Sequence, residues 1–367
     1  MKRYYSTILL LILAVWSVRG QSLRETVGKY FLIGTAVNMR QLEGEEPGDV
    51  AIICNQFNAV VAENCMKPEE IEPKEGVFTW DDADRFVKFA EDNHLTATGH
   101  VLIWHSQTPD WFFLNQYGEM PSRQVMIGRM RDYIHTVVGR YKGRIKGWDV
   151  VNEAITDDGE LRDTPWMRAI GPDYIQLAFK FAHEADPNAE LYYNDYSMDK
   201  PAKRNAAIKL VRQLRKAGCR VDAVGMQSHN GLDYPNIADY ETSLKAFADA
   251  GIMVAITELD ISALPNPWNF SGAEISQNFE MQKALNPYPK KLPKEVQRKH
   301  GDRYLAFFRL YKKYASNIKR VTLWGVSDGN SWLNDFPVKG RTNYPLLFDR
   351  QHKAKPVVEE ICKLFSE

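Results

Sequence analysis

Residues Ile145–Ala154 read IKGWDVVNEA, a short run of apolar and aromatic residues that stops on Asn152 and Glu153. A run this short, apolar on successive positions rather than alternate ones, is the signature of a strand buried on both faces. Such strands belong to parallel sheets covered by helices. The same grammar recurs on either side: FLIGTAVN (Phe31–Asn38), AVVAENC (Ala59–Cys65) and TATGHVLIW (Thr96–Trp104) come before it. ELYYNDY (Glu190–Tyr196), AVGMQSH (Ala223–His229), VAITELDI (Val254–Ile261) and RVTLWGVSD (Arg320–Asp328) come after. Between the runs lie Asp81–Asp92, Tyr174–Ala185, Pro201–Ala217, Ile237–Ala250 and Asp302–Ser316, with apolar residues at helical three- and four-residue steps. Eight strands alternating with helices, joined by right-handed crossovers, predict an α/β chain folded as a single-domain (β/α)8 TIM barrel, closed by a last helix over Pro356–Phe365.

Polar and aromatic residues gather where the runs end: Glu63 and Asn64, His100 and Trp104, Asn152 and Glu153, Asn194 and Asp195, Gln227 and His229, Glu258, then Trp324 and Asp328. A barrel brings all of these to one mouth, the face on which barrel enzymes keep their chemistry. An open doubly wound sheet would spread them along an edge. Two of them, Glu153 and Glu258, are carboxylates ending separate strands. Cleavage of an acetal requires that pairing: one carboxyl group protonates the leaving oxygen, and the other attacks the anomeric carbon or activates water.

The 367 residues suffice for one large domain, and no linker, low-complexity stretch or repeat divides them. The amino end differs from the rest. Lys2 and Arg3 precede an apolar run, Ile8–Trp16, with small residues near Gly20, which reads as a signal peptide over residues 1–20 and implies secretion or export to the periplasm. That run is too short to span a membrane, and no later stretch reaches the roughly 18 apolar residues a span needs. Residues 21–367 form the catalytic unit in this reading, and a monomer is expected. Charge is balanced at 47 basic and 47 acidic residues; without the leader the counts are 44 and 47, which suggests no polyanion partner such as nucleic acid. No G-x-G-x-x-G fingerprint or P-loop is present. Cys54, Cys65, Cys219 and Cys362 lack metal-type spacing; three disulfide pairings, or free thiols, are open.

Seven ordered blocks resemble glycoside hydrolase family 10, whose members are mostly retaining endo-β-1,4-xylanases. They are VVAENCMKPEEIEP (Val60–Pro73), TGHVLIWHSQTPDWF (Thr98–Phe112), WDVVNEA (Trp148–Ala154), YNDY (Tyr193–Tyr196), GMQSH (Gly225–His229), ITELDI (Ile256–Ile261) and LWGVSDGNSW (Leu323–Trp332). The resemblance implies hydrolysis of xylan and xylo-oligosaccharides without metal or organic cofactor. It makes Glu153 the general acid/base and Glu258 the nucleophile, their carboxyl groups about 5–5.5 Å apart. The charge on Glu258 would then raise the proton affinity of Glu153.

His229 and Asp260 are expected to form a hydrogen-bonded chain with Glu258, and Gln227 to steady the nucleophile or the sugar. Asn152 is expected on the 2-hydroxyl of the reacting sugar. Glu63, Asn64, Lys67, His100 and Gln107 are expected on glycone-side hydroxyls. Trp104, Trp324 and Trp332 offer flat faces for sugar rings, with Trp332 as the obstruction to a C6 hydroxymethyl group, and Tyr196 stacks on the aglycone side. Trp111 and Trp148 read as core.

One segment departs from the pattern. Ser262–Pro293 carries five prolines and Trp268, Phe270, Phe279 and Tyr288, far more than a βα loop of about 2–6 residues. It either shapes the aglycone side of the groove or packs as a surface excursion. If it closed the groove to a pocket, a retaining β-glycosidase acting on aryl-glycosides or β-glucans would fit better. Loss of a carboxylate would have left a polysaccharide-binding barrel, but both are present.

Overall fold

Every main strand of the computed structural model, which describes residues 21–267 and 275–367, is buried along nearly its whole length. This is what continuous apolar runs require. The strands are β1 (Leu32–Val37), β2 (Ala59–Ala62), β3 (Thr96–Ile103), β4 (Gly147–Asn152), β5 (Glu190–Asp195), β6 (Ala223–Met226), β7 (His229–Gly231), β8 (Val254–Ser262) and β9 (Ile318–Leu323). All pairings are parallel, and β6 pairs with β8 to close the ring of a (β/α)8 barrel. The helices Asp81–Asp92 and Tyr174–Ala185 have the expected bounds. Helices Pro47–Gln56 and Arg123–Arg140 fill the first and third crossovers.

Two elements differ from the reading. The sixth strand, expected as one piece to His229, breaks after Met226, because Ser228 adopts φ +65°. Its continuation β7 pairs His229–Gly231 with Asp260–Ser262, and β8 runs to Ser262, one residue past the expected Ile261. The helix expected from Asp302 starts at Lys294, where the polar sequence KEVQRKHG hides the helical period.

Small residues admit large neighbours near the mouth. A Cβ on Gly99 would sit 2.1 Å from the Trp148 ring, so glycine on β3 lets that indole, 1% exposed, lie flat against the strand. Burying a ring of that size contributes about 4–6 kcal/mol as an upper bound. Trp111 is part-buried, stacked on Phe112 with centroids 3.8 Å apart. Inside the barrel Arg320 Nη2 contacts Asp149 Oδ1 at 3.2 Å, and Asp149 Oδ2 lies 3.0 Å from His100 Nδ1, a buried polar ladder leading up to the mouth. All four cysteines are free thiols. The signal peptide expected over residues 1–20 lies outside the described residues.

Candidate active site

Glu153 follows β4 with φ +57°, a left-handed turn that lifts its side chain out of the strand's alternation and into the mouth. Its backbone N–H donates to the Asn194 carbonyl at 2.9 Å. Three groups hold its carboxyl: Trp104 Nε1 donates to Oε2 at 2.9 Å, while Gln227 Nε2 and Asn152 Nδ2 donate to Oε1 at 2.9 and 3.1 Å. Glu258, inside β8, takes Asn194 Nδ2 on Oε1 at 2.8 Å. Its Oε2 lies 3.1 Å from His229 Nε2, and Nδ1 of the same ring lies 3.1 Å from Asp260 Oδ2, so the expected Glu258–His229–Asp260 chain is complete.

The two carboxyl groups hold their protons unequally. Burial lifts Glu153 to about 7, with the Asp195 carboxylate adding to it and Glu258 adding less; the Gln227 amide pulls the other way. The sequence reading assigned this lift to Glu258 alone. Burial works against the charge on Glu258 too, yet the His229 hydrogen bond, the positive fields of His100 and His229 and the Asn194 amide outweigh it and hold that carboxyl below its usual range. His229 is itself opposed by burial but lifted to about 10 by Asp260 and Glu258, which makes it an imidazolium between two carboxylates. Between roughly pH 5 and 6, Glu153 is mainly neutral and Glu258 ionised.

The expected sugar-binding side chains line one cavity of about 300 Å³ with both carboxylates: Glu63, Asn64, Lys67, His100, Trp104, Gln107, Asn152, Gln227, His229, Trp324 and Trp332. Lys67 is buried rather than solvated; its Nζ reaches Asn64 Oδ1 at 2.8 Å and Gln107 Oε1 at 2.6 Å and lies 5.3 Å from the Trp104 ring. Burial lowers Lys67 and raises Glu63, each tempered by the other's charge. Trp332 stacks on Phe336, centroids 4.5 Å apart, and its Nε1 donates to Asp260 at 2.8 Å. Trp324 is 7% exposed and packs edge-on to His100. A second cavity, of about 360 Å³, continues from His229 past Ser228, Asn230, Tyr234 and Tyr196.

Three expectations need correction. Gln227 does not hold the nucleophile by its side chain, which crosses to Glu153 and to Asn152 Oδ1 at 3.3 Å; only its carbonyl reaches Glu258, accepting the backbone N–H at 2.9 Å. Tyr196 is 7% exposed, with one face covered by Lys203 Nζ at 3.6 Å and its hydroxyl bonded by Arg162 at 2.7 Å, so that face is closed to a sugar. The long segment after β8 contributes Ile275 to the lining of the first cavity, which also holds both carboxylates, so it is not only a surface excursion. Around it, Arg341 Nη1 ties to Pro265 at 3.1 Å and Tyr344 Oη to Tyr288 at 2.7 Å. Trp268 and Phe270 lie outside the described residues.

Two residues went unassigned in the sequence. Asn194 spans Glu258 and Asn152, donating 2.8 and 2.9 Å, and a Cβ on Gly225 would stand 2.2 Å from its Oδ1. The glycine of GMQSH is the space Asn194 occupies. Asp195, fully buried against Lys203 Nζ at 2.8 Å, sets part of the charge environment of Glu153. The adjacent pair Asn194–Asp195 at a strand end was the available signal.

A parallel barrel with two carboxyl groups at its mouth, one raised and one lowered in proton affinity, has the layout of a glycoside hydrolase. The comparisons are more specific: the model of glycosyl hydrolase family 10 matches residues 22–364, and the chain belongs to that family. It is 57% identical over 358 residues to endo-1,4-beta-xylanase A of Xylanibacter ruminicola, covering 98% of this chain and 97% of that one. It is 40% identical to an endo-1,4-beta-xylanase of Geobacillus stearothermophilus, covering 94% and 98%. Among solved structures, a family 10 endoxylanase retrieved from sugarcane soil metagenome superposes with TM-score 0.91 at 45% identity, covering 94% of this chain and all of that one.

Proposed function

We propose that this chain is a secreted, retaining endo-1,4-β-xylanase that cuts internal bonds of xylan and xylo-oligosaccharides. The observation that carries the reading is that Glu153 and Glu258 line one cleft, where burial raises the first and the His229 hydrogen bond helps hold the second below its usual range. Cavities on both sides of His229 support internal cleavage, because a chain can occupy the groove without ending in it. The relatives named as endo-1,4-beta-xylanases support the substrate.

In the first step a carboxylate oxygen of Glu258 bonds to the anomeric carbon as the glycosidic C–O bond breaks, and the proton of Glu153 passes to the departing oxygen. In the second, water attacks that carbon, Glu153 takes its proton, and Glu258 leaves as a carboxylate. Loss of the Glu258 charge in the intermediate lowers the proton affinity of Glu153, so that it stands as a carboxylate once its proton has gone to the leaving group; the Asp195 charge keeps that carboxylate basic enough to accept the proton of water. In this reading Asn152 binds the 2-hydroxyl and Trp332 excludes a C6 hydroxymethyl group. A filter of that kind is worth about 1–3 kcal/mol, so weak β-glucan cleavage is expected. Lys2, Arg3 and the run Ile8–Trp16 support export with Gln21 as the mature amino terminus.

The test is incubation of the mature protein with unsubstituted β-1,4-xylan and with β-1,4-glucan, following product lengths over time beside a Glu258→Gln control. Early mixed short oligosaccharides from xylan, absent in the control, support the reading. Release of monomer alone, or faster cleavage of glucan, refutes it.

A further inference from the structure

Outside the residues that line the cleft, one buried carboxylate lacks the partners its burial requires. Asp49, in the first turn of the helix Pro47–Gln56, is 0% exposed. Its Oδ2 accepts from Gln41 Nε2 and Asn330 Nδ2, both at 2.8 Å. Its Oδ1 has no hydrogen-bond partner, yet lies 3.3 Å from Nε2 of His352. A buried carboxylate oxygen without a donor carries the full cost of its lost hydration, so something is expected to satisfy it. Glu46, three residues earlier, supplies a third donor atom, and one ligand atom from each of Glu46, Asp49 and His352 lies within 4.8 Å of the others.

We propose that Glu46, Asp49 and His352 form a binding site for one divalent transition-metal cation of the Zn²⁺ type. The distance favours this over a simple hydrogen bond. Two ligands on a tetrahedral ion at about 2.0–2.1 Å stand about 3.3 Å apart, whereas N–H···O contacts cluster near 2.9–3.0 Å. One imidazole nitrogen and two carboxylate oxygens suit Zn²⁺ and its neighbours, with water in the fourth position. The amides of Gln41 and Asn330 fix the carboxylate's rotation as outer partners of a metal ligand do, leaving Oδ1 free to ligate. Gly48 places the imidazole: a Cβ there would stand 2.5 Å from His352 Nδ1, so only glycine lets the ring lie against the helix start.

The competing cation is Arg40, whose Nη2 contacts Glu46, whose Nε lies 3.5 Å from Glu45, and whose Nη1 donates to Asn330 at 3.1 Å. A bound ion takes Glu46 from Arg40, which keeps Glu45 and Asn330. Three segments remote in sequence would be clamped: the helix start at Glu46, the turn at His352, and, through Asp49 and Asn330, the loop two residues ahead of Trp332. The role is structural, and the site stands apart from the hydrolytic reaction.

The full chain, stripped with chelator, is titrated with ZnCl₂ by calorimetry and melted with and without the ion, beside His352→Ala and Glu46→Gln. The site predicts one equivalent of Zn²⁺ per chain, a higher melting temperature with Zn²⁺, and at least tenfold weaker binding in each variant. Circular dichroism of the stripped variants reports whether they are folded. No saturable binding to the wild type, or binding that both folded variants retain at wild-type strength, overturns the proposal.

Discussion

Nε2 of His229 lies 3.1 Å from Oε2 of Glu258, and the other nitrogen of the same ring faces Asp260 at the same distance. With a carboxylate on each nitrogen, both ring nitrogens donate, and the ring is a cation that keeps Glu258 ionised. Substituting His229 by Ala removes the strongest opposition to the burial of Glu258. The carboxyl then binds its proton more readily, so the acid limb of the kcat/KM profile moves to higher pH. Initial rates across pH on a soluble xylo-oligosaccharide check this; an unmoved acid limb contradicts it.

The basic limb belongs to Glu153 and has two opposite handles. Asp195→Asn removes a negative charge that raises Glu153, so the limb moves to lower pH. Trp104→Phe removes a hydrogen bond to the carboxylate form, so the limb moves to higher pH. Shifts of the same sign in both variants would sink this assignment. Asp195→Asn also removes the nearer of the two carboxylates that Lys203 meets, leaving Asp157 at 3.5 Å, and a loss of about 3–5 kcal/mol in stability is expected in chemical denaturation.

Glu153→Gln carries a stability signature as well as a loss of activity, which should reach about 10²–10⁴-fold. The carboxyl is raised from 4.5 to about 7 on folding. A group raised in this way contributes stability that is fully present below its unfolded pKa and lost as pH climbs through the folded one. Wild type therefore forfeits roughly 3 kcal/mol between those limits, and a glutamine forfeits none. Melting curves for the two proteins should diverge in favour of the variant as pH rises to neutrality; parallel curves contradict the buried-acid account.

Gly225→Ala tests the space around Asn194. The added methyl meets Asn194 Oδ1 and Thr257, so Asn194 must give up its place between Glu258 and Asn152. Overpacking of this kind costs about 1–3 kcal/mol in stability, read by denaturant titration. A folded variant should also lose kcat, and wild-type turnover would show that Asn194 is not needed where it stands.

The barrel was legible because its strands are buried on both faces: runs such as VVAENC and WDVVNE need no alternation to be read, and their polar ends point to the mouth. The Glu258–His229–Asp260 chain was legible because two of its members sit two residues apart on one strand. The partner of Gln227 was not, because the turn at Ser228 breaks the strand and the side chain crosses the mouth to Glu153. Nor was the cover on Tyr196, which comes from Lys203 in the helix Pro201–Lys216, on a different element. The Glu46–Asp49–His352 cluster joins the two ends of the chain, beyond the reach of any spacing rule. Contacts within one element can be read as periodicity, whereas contacts across the barrel depend on how the elements close.

The central claim is that Glu258 forms the bond to sugar. The direct measurement is mass spectrometry of the protein after exposure to a 2-deoxy-2-fluoro-β-xylobioside bearing an activated leaving group, which slows the second step more than the first. A single fluoroxylobiosyl adduct on the peptide containing Glu258, absent from Glu258→Gln, is the predicted result. An adduct on another residue, or xylan cleavage with no adduct at any time and inversion at the anomeric carbon, would contradict it.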